Sequence, residues 1–295
     1  MRRRVRAPLP ASLVEHWPDA VLLADAHGVI EYVNPAFERL TGYRASEALG
    51  RTPALLQSGS HDARFYRRLW SQLRRGRTFR GVFLNRRKNG ELFHEEETIR
   101  PLRGPDGRIA RFICAGRDVS ALMRELQLLK RLATHDALTG LPNRALFADR
   151  LAQALRQGER RREAVVVAML DLDDFKRINT HYGHLAGDAV LRSVARRTLR
   201  CLRSIDTVAR VGGDEFALVL PAVGSRAAAA RVLEKIRAAN AVTLRYGRTR
   251  IPVVVSIGAS LFPRHAKSEM ALRKRADAAM YAAKKAGGNR WKFAR

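Results

Sequence analysis

The amino-acid sequence predicts two folded domains in series, an antiparallel α+β domain followed by an α/β domain whose central sheet is flanked by helices. The chain has 295 residues, enough for two hydrophobic cores. Up to residue 120, short strand patterns alternate with turn signals, whereas helical and strand patterns alternate in the remainder. We place an arm at 1–11, the first domain at 12–120, a helical linker at 121–134 and the second domain at 135–295.

Five strands, with helices inserted after the second strand, are predicted for the first domain. The strand patterns alternate in polarity and are rich in β-branched and aromatic residues. Two turn signals, Lys88-Asn-Gly90 and Gly104-Pro-Asp-Gly107, separate the last three strands. We predict strands over 20–25, 29–33, 78–85, 92–102 and 109–119, and helices over 35–40, 45–49 and 65–73.

Apolar residues recur in the linker at four-three-four spacing, at Leu122, Leu126, Leu129 and Ala133. This spacing is typical of one edge of a short coiled coil. It is equally compatible with a single amphipathic helix that packs on its own domain, and about two heptads do not decide between the two.

The second domain is predicted to alternate helices with strands. A continuous apolar run over 164–170 is typical of a buried strand, and it is followed by Asp171. We predict helices over 144–157, 187–202, 226–240 and 269–286, and strands over 164–170, 207–211, 216–220 and 251–261.

The formal net charge of +28 favours polyanionic partners in general. Arginine is spread along the whole chain, however, and Arg2–Arg6 forms the one compact basic cluster, so the sequence predicts no nucleic-acid partner. It contains no apolar run long enough to span a bilayer and no secretory signal pattern, and we therefore expect a cytoplasmic protein without a transmembrane segment.

Three carboxylates carry the predicted chemistry. Asp171 follows the buried strand, while Asp214 and Glu215 stand at the tip of a predicted hairpin, after Gly212 and Gly213. The glycines permit positive φ and leave room for a phosphate group. If the two strands are neighbours, the acids converge and can bind Mg²⁺, which also contacts substrate phosphates. Taken alone, the Gly-Gly-Asp-Glu sequence would be a solvated turn.

The hairpin sequence Arg210-Val-Gly-Gly-Asp-Glu-Phe216 resembles the signature of the GGDEF-domain diguanylate cyclases. The same family is indicated by the segments Asp136-Ala-Leu-Thr-Gly-Leu-Pro-Asn-Arg144 and Asp171-Leu-Asp-Asp-Phe-Lys-Arg-Ile-Asn179. Residues 12–120 resemble a PAS sensor domain, through Asp25-Ala-His-Gly28, Asn85-Arg-Arg-Lys-Asn-Gly90 and Gly116-Arg-Asp-Val-Ser120.

The resemblance implies an enzyme that condenses two GTP into cyclic di-GMP and two pyrophosphates as a homodimer. It implies regulation by the PAS domain and feedback inhibition by cyclic di-GMP at an RxxD site. The cofactor would be Mg²⁺ or Mn²⁺, whereas the PAS ligand is unknown and could be absent, a flavin or a haem. By position, the implied residues are Asp171, the Leu172 carbonyl, Asp214 and Glu215 for metal; Asp214, Glu215 and Lys176 for catalysis; Asn179, His184, Asp188, Gly212, Gly213 and Lys284 for substrate; and Arg203 and Asp206 for inhibitory product.

One departure from the family pattern leaves a second hypothesis open. Many members carry an arginine for a substrate phosphate where this chain has Gly288, although Lys285 or Arg290 could compensate. The alternative function is a catalytically weak domain that serves as a receptor for cyclic di-GMP or GTP.

Overall fold

The computed structural model describes residues 14–295, so the arm predicted for residues 1–11 lies outside the described residues. The chain divides into two compact units, which meet between residues 127 and 128. Each unit has its own hydrophobic core, and the two are described separately below.

The first unit is an antiparallel sheet with helices inserted after its second strand. The strand order is β2-β1-β5-β4-β3, and every neighbouring pair is antiparallel. This confirms the predicted five-stranded α+β domain. Its elements are β1 (Ala20–Asp25), β2 (Ile30–Val33), α1 (Pro35–Thr41), α2 (Ala45–Ala48), a 3₁₀ helix (Pro53–Leu56), α3 (Ala63–Arg74), β3 (Phe79–Arg86), β4 (Leu92–Arg103) and β5 (Ile109–Asp118).

A polar cluster is buried within the first unit, on neighbouring strands. The Asn85 side-chain amide donates to Glu95 Oε2 at 2.8 Å and to Glu97 Oε1 at 3.2 Å. Burial raises the pKa of Glu97 well above its ordinary value, and the nearby Glu95 carboxylate raises it further. Glu97 therefore retains its proton at pH values where an exposed glutamate has lost it.

The helix that follows β5, α4 (Ser120–Thr134), carries a row of exposed leucines. Leu122, Leu126 and Leu129 are each 43–54% exposed, so the apolar edge predicted for the linker is not covered by other described residues. None of the helices in the part of the chain that the structure describes is long and apolar enough to cross a membrane.

The second unit is a three-layered α/β fold, as predicted. Its elements are α5 (Arg144–Arg161), β6 (Val165–Leu172), α6 (Phe175–Tyr182), α7 (His184–Arg200), β7 (Thr207–Arg210), β8 (Glu215–Leu220), α8 (Arg226–Asn240), β9 (Val242–Tyr246), β10 (Thr249–Val253), β11 (Val255–Phe262), α9 (Glu269–Lys285) and β12 (Trp291–Phe293).

The central sheet has the strand order β12-β11-β6-β8-β7. Every residue of β6 and β11 is buried because helices cover both faces of the sheet. Helices α5 and α9 pack on one face, and α6, α7 and α8 pack on the other. The middle of the sheet is therefore rigid, and its strand ends present the polar residues.

Three local features of the second unit differ from the sequence-based expectations. The single strand predicted over 251–261 is divided at Val254: β10 pairs with β9 in a separate hairpin, whereas β11 joins the central sheet. Helix α6 was not predicted, because its eight residues are too few for a clear periodic signal. Helix α7 begins at His184 rather than at residue 187, because Gly183 forms its N-terminal boundary.

We expect Glu97→Gln to stabilise the first unit increasingly as pH rises above about 4.5. Wild-type Glu97 has a folded-state pKa above its unfolded value of 4.5, so its favourable contribution is fully present below that pH. The contribution is lost as pH rises towards the folded-state pKa, at no more than about 1.4 kcal/mol per pH unit. Glutamine does not titrate and keeps an amide that can donate to Glu95.

Calorimetric unfolding of the full chain at a series of pH values measures this difference. Glu96→Gln is the matched control, because Glu96 is an exposed residue of the same strand that pairs with Arg117. A variant that tracks the wild type at every pH would contradict a raised pKa for Glu97.

Candidate active site

The register of the central sheet brings the predicted acids together. Strands β6 and β8 are antiparallel neighbours, and Asp171 lies directly opposite Glu215. Asp214 immediately precedes Glu215, in the loop that joins β7 to β8. Strands β6 and β8 are therefore neighbours, which is the condition on which convergence of these carboxylates was predicted.

The carboxylate of Asp171 is buried close to other acidic side chains. It is only 7% exposed, and Lys284 Nζ on α9 contacts its Oδ1 at 2.5 Å. Burial raises the pKa of Asp171 to about 6; the Lys284 ammonium opposes this shift, while the carboxylates of Asp214 and Glu215 add to it. Such a cluster favours bound positive charge, and the lysine ammonium supplies part of it.

The two glycines of the hairpin loop leave room for other groups and do not adopt a backbone conformation that only glycine favours. Neither Gly212 nor Gly213 uses the positive φ that glycine permits. A Cβ at Gly212 would lie 2.9 Å from Glu215 Oε2, whereas a Cβ at Gly213 would meet no atom within 4 Å. Gly212 makes room for the Glu215 carboxylate, and Gly213 keeps the outer side of the loop open.

Arg210 ties this loop to the segment that follows the linker helix. Its Nε and Nη2 donate to the Gly213 carbonyl at 3.0 and 2.7 Å, and its Nη1 lies 3.2 Å from both Asp136 oxygens. Burial alone would raise the pKa of Asp136, but hydrogen bonds from Thr139 and Arg210 lower it below its ordinary value. The Arg210 guanidinium thus fixes the carbonyl next to Asp214.

The same segment is attached to the end of α4. The Asn143 amide donates to the Ala133 carbonyl at 2.9 Å, and the Asn143 backbone N–H donates to Thr134. The Asn143 side-chain oxygen accepts from the first N–H groups of α5. One asparagine therefore joins the last turn of α4 to the first turn of α5.

The predicted guanine-binding residues lie on α6 and α7, which follow β6. The Asn179 side chain lies against α7, since a Cβ at Gly187 would be 1.9 Å from its Oδ1. Asp188 follows Gly187 in α7, and its carboxylate oxygen Oδ2 lies 3.9 Å from Nη2 of Arg192. Among the described residues, Lys176 and His184 make no contact with the carboxylate cluster, so the structure does not bring them to it.

The loop at Gly288 explains why arginine is absent there. Gly288 has a φ of +67°, and a Cβ on it would lie 2.8 Å from Asp173 Oδ2. Asp173 also accepts from the Asn289 N–H at 2.8 Å and from Ser256 Oγ at 2.7 Å. A side chain at position 288 would therefore disturb a hydrogen-bonded loop.

Neither predicted replacement for that arginine is free in the structure. Lys285 lies over the Tyr281 ring at 4.7 Å, and Arg290 Nε donates to the Gly288 carbonyl at 2.9 Å. A separate open cleft of about 580 Å³ beside Glu215 is lined by the cations Arg144, Arg273 and Lys274 and by the acids Glu269 and Asp277.

Arg203 and Asp206 form a separate site before β7. The Arg203 side chain donates to both Asp206 oxygens at 2.7–3.1 Å and to the Pro221 carbonyl at 2.9 Å. Hydrogen bonding to Asp206 raises the pKa of the Arg203 guanidinium. The guanidinium is half exposed beside a cleft of about 360 Å³, so it remains accessible to an anionic ligand.

The donor set suits magnesium shared with a substrate better than a closed protein site. In the described part of the chain, no three His, Cys, Asp or Glu side chains are grouped closely enough to hold a metal by themselves. Mg²⁺ is commonly bound by one or two carboxylates together with substrate phosphates. Asp171, Asp214, Glu215 and the Leu172 carbonyl at the end of β6 fit such a partial site.

Sequence reasoning assigned no role to Asp136, Arg210 or Asp173. Asp136 and Arg210 were visible within recognised motifs, but 74 residues separate them and nothing in their spacing reveals the contact. Asp173 could have been suspected only as one more acid of the Asp171 segment. Its partners come from distant parts of the chain.

Comparisons with known proteins agree with this fold. A family model described as the diguanylate cyclase GGDEF domain matches residues 133–290, and a PAS fold model matches residues 9–119. The diguanylate cyclase TpbB of Pseudomonas aeruginosa is 41% identical over 195 residues, which cover 62% of this chain and 45% of TpbB. The cyclic di-GMP phosphodiesterase PdeR of Escherichia coli is 32% identical over 287 residues, which cover 91% of this chain and 40% of PdeR.

Solved structures resemble the second unit. A GGDEF-domain structure of TpbB has a TM-score of 0.54 at 42% identity and covers 55% of this chain and 94% of that one. The coiled coil and GGDEF domain of DgcB from Caulobacter crescentus, in complex with c-di-GMP, has a TM-score of 0.55 at 35% identity. It covers 60% of this chain and 93% of that one.

The fold and site define a protein in which a PAS domain precedes a GGDEF domain. The chain belongs to the GGDEF-domain diguanylate cyclase family. It spans less than half the length of the curated relatives TpbB and PdeR.

We expect Arg210→Lys to loosen the loop that carries Asp214. Lysine keeps the charge but cannot donate to Gly213 and Asp136 together, so charge-assisted hydrogen bonds are lost. Amide hydrogen exchange in residues 211–214 should accelerate by about tenfold or more, while β6 stays protected. Arg237→Lys is the control, since Arg237 pairs with Glu234 on α8; equal acceleration in both variants would contradict the role given to Arg210.

Proposed function

We propose that this chain is a Mg²⁺-dependent diguanylate cyclase, which condenses two GTP into cyclic di-GMP and two pyrophosphates. The observation that carries the proposal is the register of β6 and β8, which sets Asp171 opposite Glu215 beside an intact Gly-Gly-Asp-Glu loop. The diguanylate cyclases TpbB and DgcP of Pseudomonas aeruginosa are 40–41% identical over the matched regions, which supports the same activity here.

The proposed chemistry assigns a task to each group of residues. Asp171, Asp214, Glu215 and the Leu172 carbonyl would hold the metal, which when bound lowers the cost of charge at the reacting phosphate. Asp214 or Glu215 would accept the proton of the ribose 3′-hydroxyl as that oxygen attacks the α-phosphate of a second GTP. Lys284, already in contact with Asp171, and Lys176 would neutralise phosphate oxygens.

Nucleotide selection is assigned to the α6–α7 pair. The Asp188 carboxylate can accept hydrogen bonds from guanine N1–H and N2–H₂, and the Asn179 amide can donate to the base. His184 would line the same pocket, and Gly212 and Gly213 would leave room for the phosphates. This set supports GTP over other nucleotides.

A single GGDEF domain would hold one GTP, so the reaction requires two domains that face each other. We assign the pairing to the exposed leucine row of α4, whose spacing suits a parallel coiled coil. Asn143 donates hydrogen bonds to the last turn of α4, and through them a change in the position of α4 would move the start of the catalytic domain. In this scheme the PAS domain sets the activity through the geometry of the dimer.

The second candidate function is a receptor for cyclic di-GMP or GTP with little turnover. Gly288 favours it, because the arginine that would bind a substrate phosphate is absent at that position. The retained carboxylates Asp171, Asp214 and Glu215 favour catalysis. We therefore rank the cyclase first.

Substitution of both signature acids should abolish product formation. We expect Asp214→Ala with Glu215→Ala to lower the rate of cyclic di-GMP formation by at least about a thousandfold, because the metal and base functions are lost together. Nucleotide-free full chain is incubated with GTP and Mg²⁺, and products are separated by chromatography.

The matched control is Asp149→Ala, which removes an exposed acid of α5. Equal product from the double variant would refute the assigned site. No product from a dimeric wild type that binds cyclic di-GMP would favour the receptor.

Removal of Arg203 should relieve product inhibition. We expect Arg203→Ala to weaken cyclic di-GMP binding by about tenfold or more, through the loss of charge-assisted hydrogen bonds, with an unchanged initial rate. Initial rates measured against added cyclic di-GMP test this. Arg250→Ala on the β9–β10 hairpin should leave inhibition as in the wild type; a wild-type inhibition curve for Arg203→Ala would remove the site assignment.

The leucine row should control dimerisation. We expect Leu126→Glu with Leu129→Glu to weaken the dimer, since each buried leucine contributes about 1.5–3 kcal/mol, and to lower activity in parallel. Leu128→Glu is the control, because Leu128 is equally exposed but lies outside the four-three-four row. Sedimentation and product assays decide: a dimer that survives the double substitution would place the interface elsewhere.

A further inference from the structure

The first unit contains a cavity of about 280 Å³ whose walls are mostly apolar. It lies between α3 and the sheet, and the rings of Trp70, Phe83 and Phe112 contribute to its wall. The rings of Trp70 and Phe112 meet edge to face, with centroids 5.7 Å apart. Ligand pockets typically have volumes of roughly 300–1,000 Å³, so this cavity suits a small ligand rather than a haem or a flavin nucleotide.

One corner of the cavity is acidic. The Glu97 carboxyl lines it together with Asn85, which donates to Glu97 and to Glu95 behind it. Asn85 and Glu95 are only 5% and 4% exposed. A Cβ on Gly116 would lie 2.1 Å from Glu95 Oε1, so the backbone of β5 is shaped around this carboxyl group.

This corner places carboxyl groups where the cavity wall offers no cation. The chain contains 56 lysines and arginines, yet none of the described residues that line the cavity is one of them. Burying two neighbouring carboxyl groups costs stability, because the charged form loses its hydration. The hydrogen bonds from Asn85 offset part of this cost.

The surrounding rings suit a positive charge as well. The face of an aromatic ring carries partial negative charge and attracts ammonium groups at distances of up to about 6 Å. Trp70, Tyr66 and Phe112 all border the cavity. The cavity thus has carboxyl groups at one end and aromatic rings along its wall. This combination suits a ligand with an ammonium group attached to an apolar body.

We propose that this cavity binds a small organic cation, whose ammonium group pairs with Glu97 and whose apolar body packs against Trp70 and Phe112. Asn85 holds Glu97 in position, Glu95 lies behind it, and a bound ammonium group favours the ionised form of Glu97. The cavity admits a neutral ligand of the same shape but offers it no charge pairing. Recognition is independent of the proposed cyclase activity, because every residue involved lies in the first unit.

Calorimetric titration of the full chain with 2-phenylethylammonium tests this proposal. The neutral isostere 2-phenylethanol and the anion phenylacetate are titrated alongside it. We expect the ammonium to bind at least about tenfold more tightly than the alcohol, the gain given by one charge-assisted hydrogen bond, and phenylacetate to bind most weakly. No binding of the ammonium, equal binding of ammonium and alcohol, or tighter binding of phenylacetate each overturns the proposal.

Variants place the binding event in the cavity. Glu97→Gln keeps the size of the side chain and should remove the preference for the ammonium over the alcohol. Glu96→Gln lies one residue away on the same strand, is exposed, and should keep the wild-type preference. A preference that survives Glu97→Gln overturns the proposal, because the charge that is recognised would lie elsewhere in the chain.

Discussion

The pairing of β6 with β8 is the constraint on which the candidate site depends. Because β6 is buried along its whole length, its register against β8 cannot slip without moving apolar side chains into incompatible positions. That register sets Asp171 opposite Glu215. The two carboxylates therefore lie opposite each other at the end of a buried sheet, and the packing of the core holds them there although they repel each other.

The acidic groups around Asp171 and those around Glu97 differ in the cations that surround them. Near Asp171, the ammonium of Lys284 is in direct contact, and Arg210 holds the carbonyl that precedes Asp214. Around Glu97 the described cavity wall has no lysine or arginine, although the chain as a whole carries +28. The first arrangement suits exchange between a lysine, a metal and phosphates, whereas the second leaves its countercharge to a ligand.

The connections around Asn143 and Asp136 give the linker helix a route to the catalytic loop. Asn143 caps α5 and also contacts the last turn of α4, while Asp136 pairs with Arg210, which holds Gly213. Each of these contacts is a directional hydrogen bond or ion pair. A displacement of α4 would therefore act on the loop that carries Asp214 through few intermediate groups.

The sequence by itself determined the two-domain order, the strands with clear alternation or continuous apolar runs, and the identity of the acids, because periodicity and motifs are local properties. Tertiary structure decided the rest. The division of the strand at Val254 depends on a hairpin partner, and the eight residues of α6 are too few for a periodic signal. The pairing of Asp136 with Arg210, the hydrogen bonds of Asp173 and the cavity beside Glu97 join residues that are far apart in the chain. Such contacts arise only when the sheets close, so no spacing in the sequence records them.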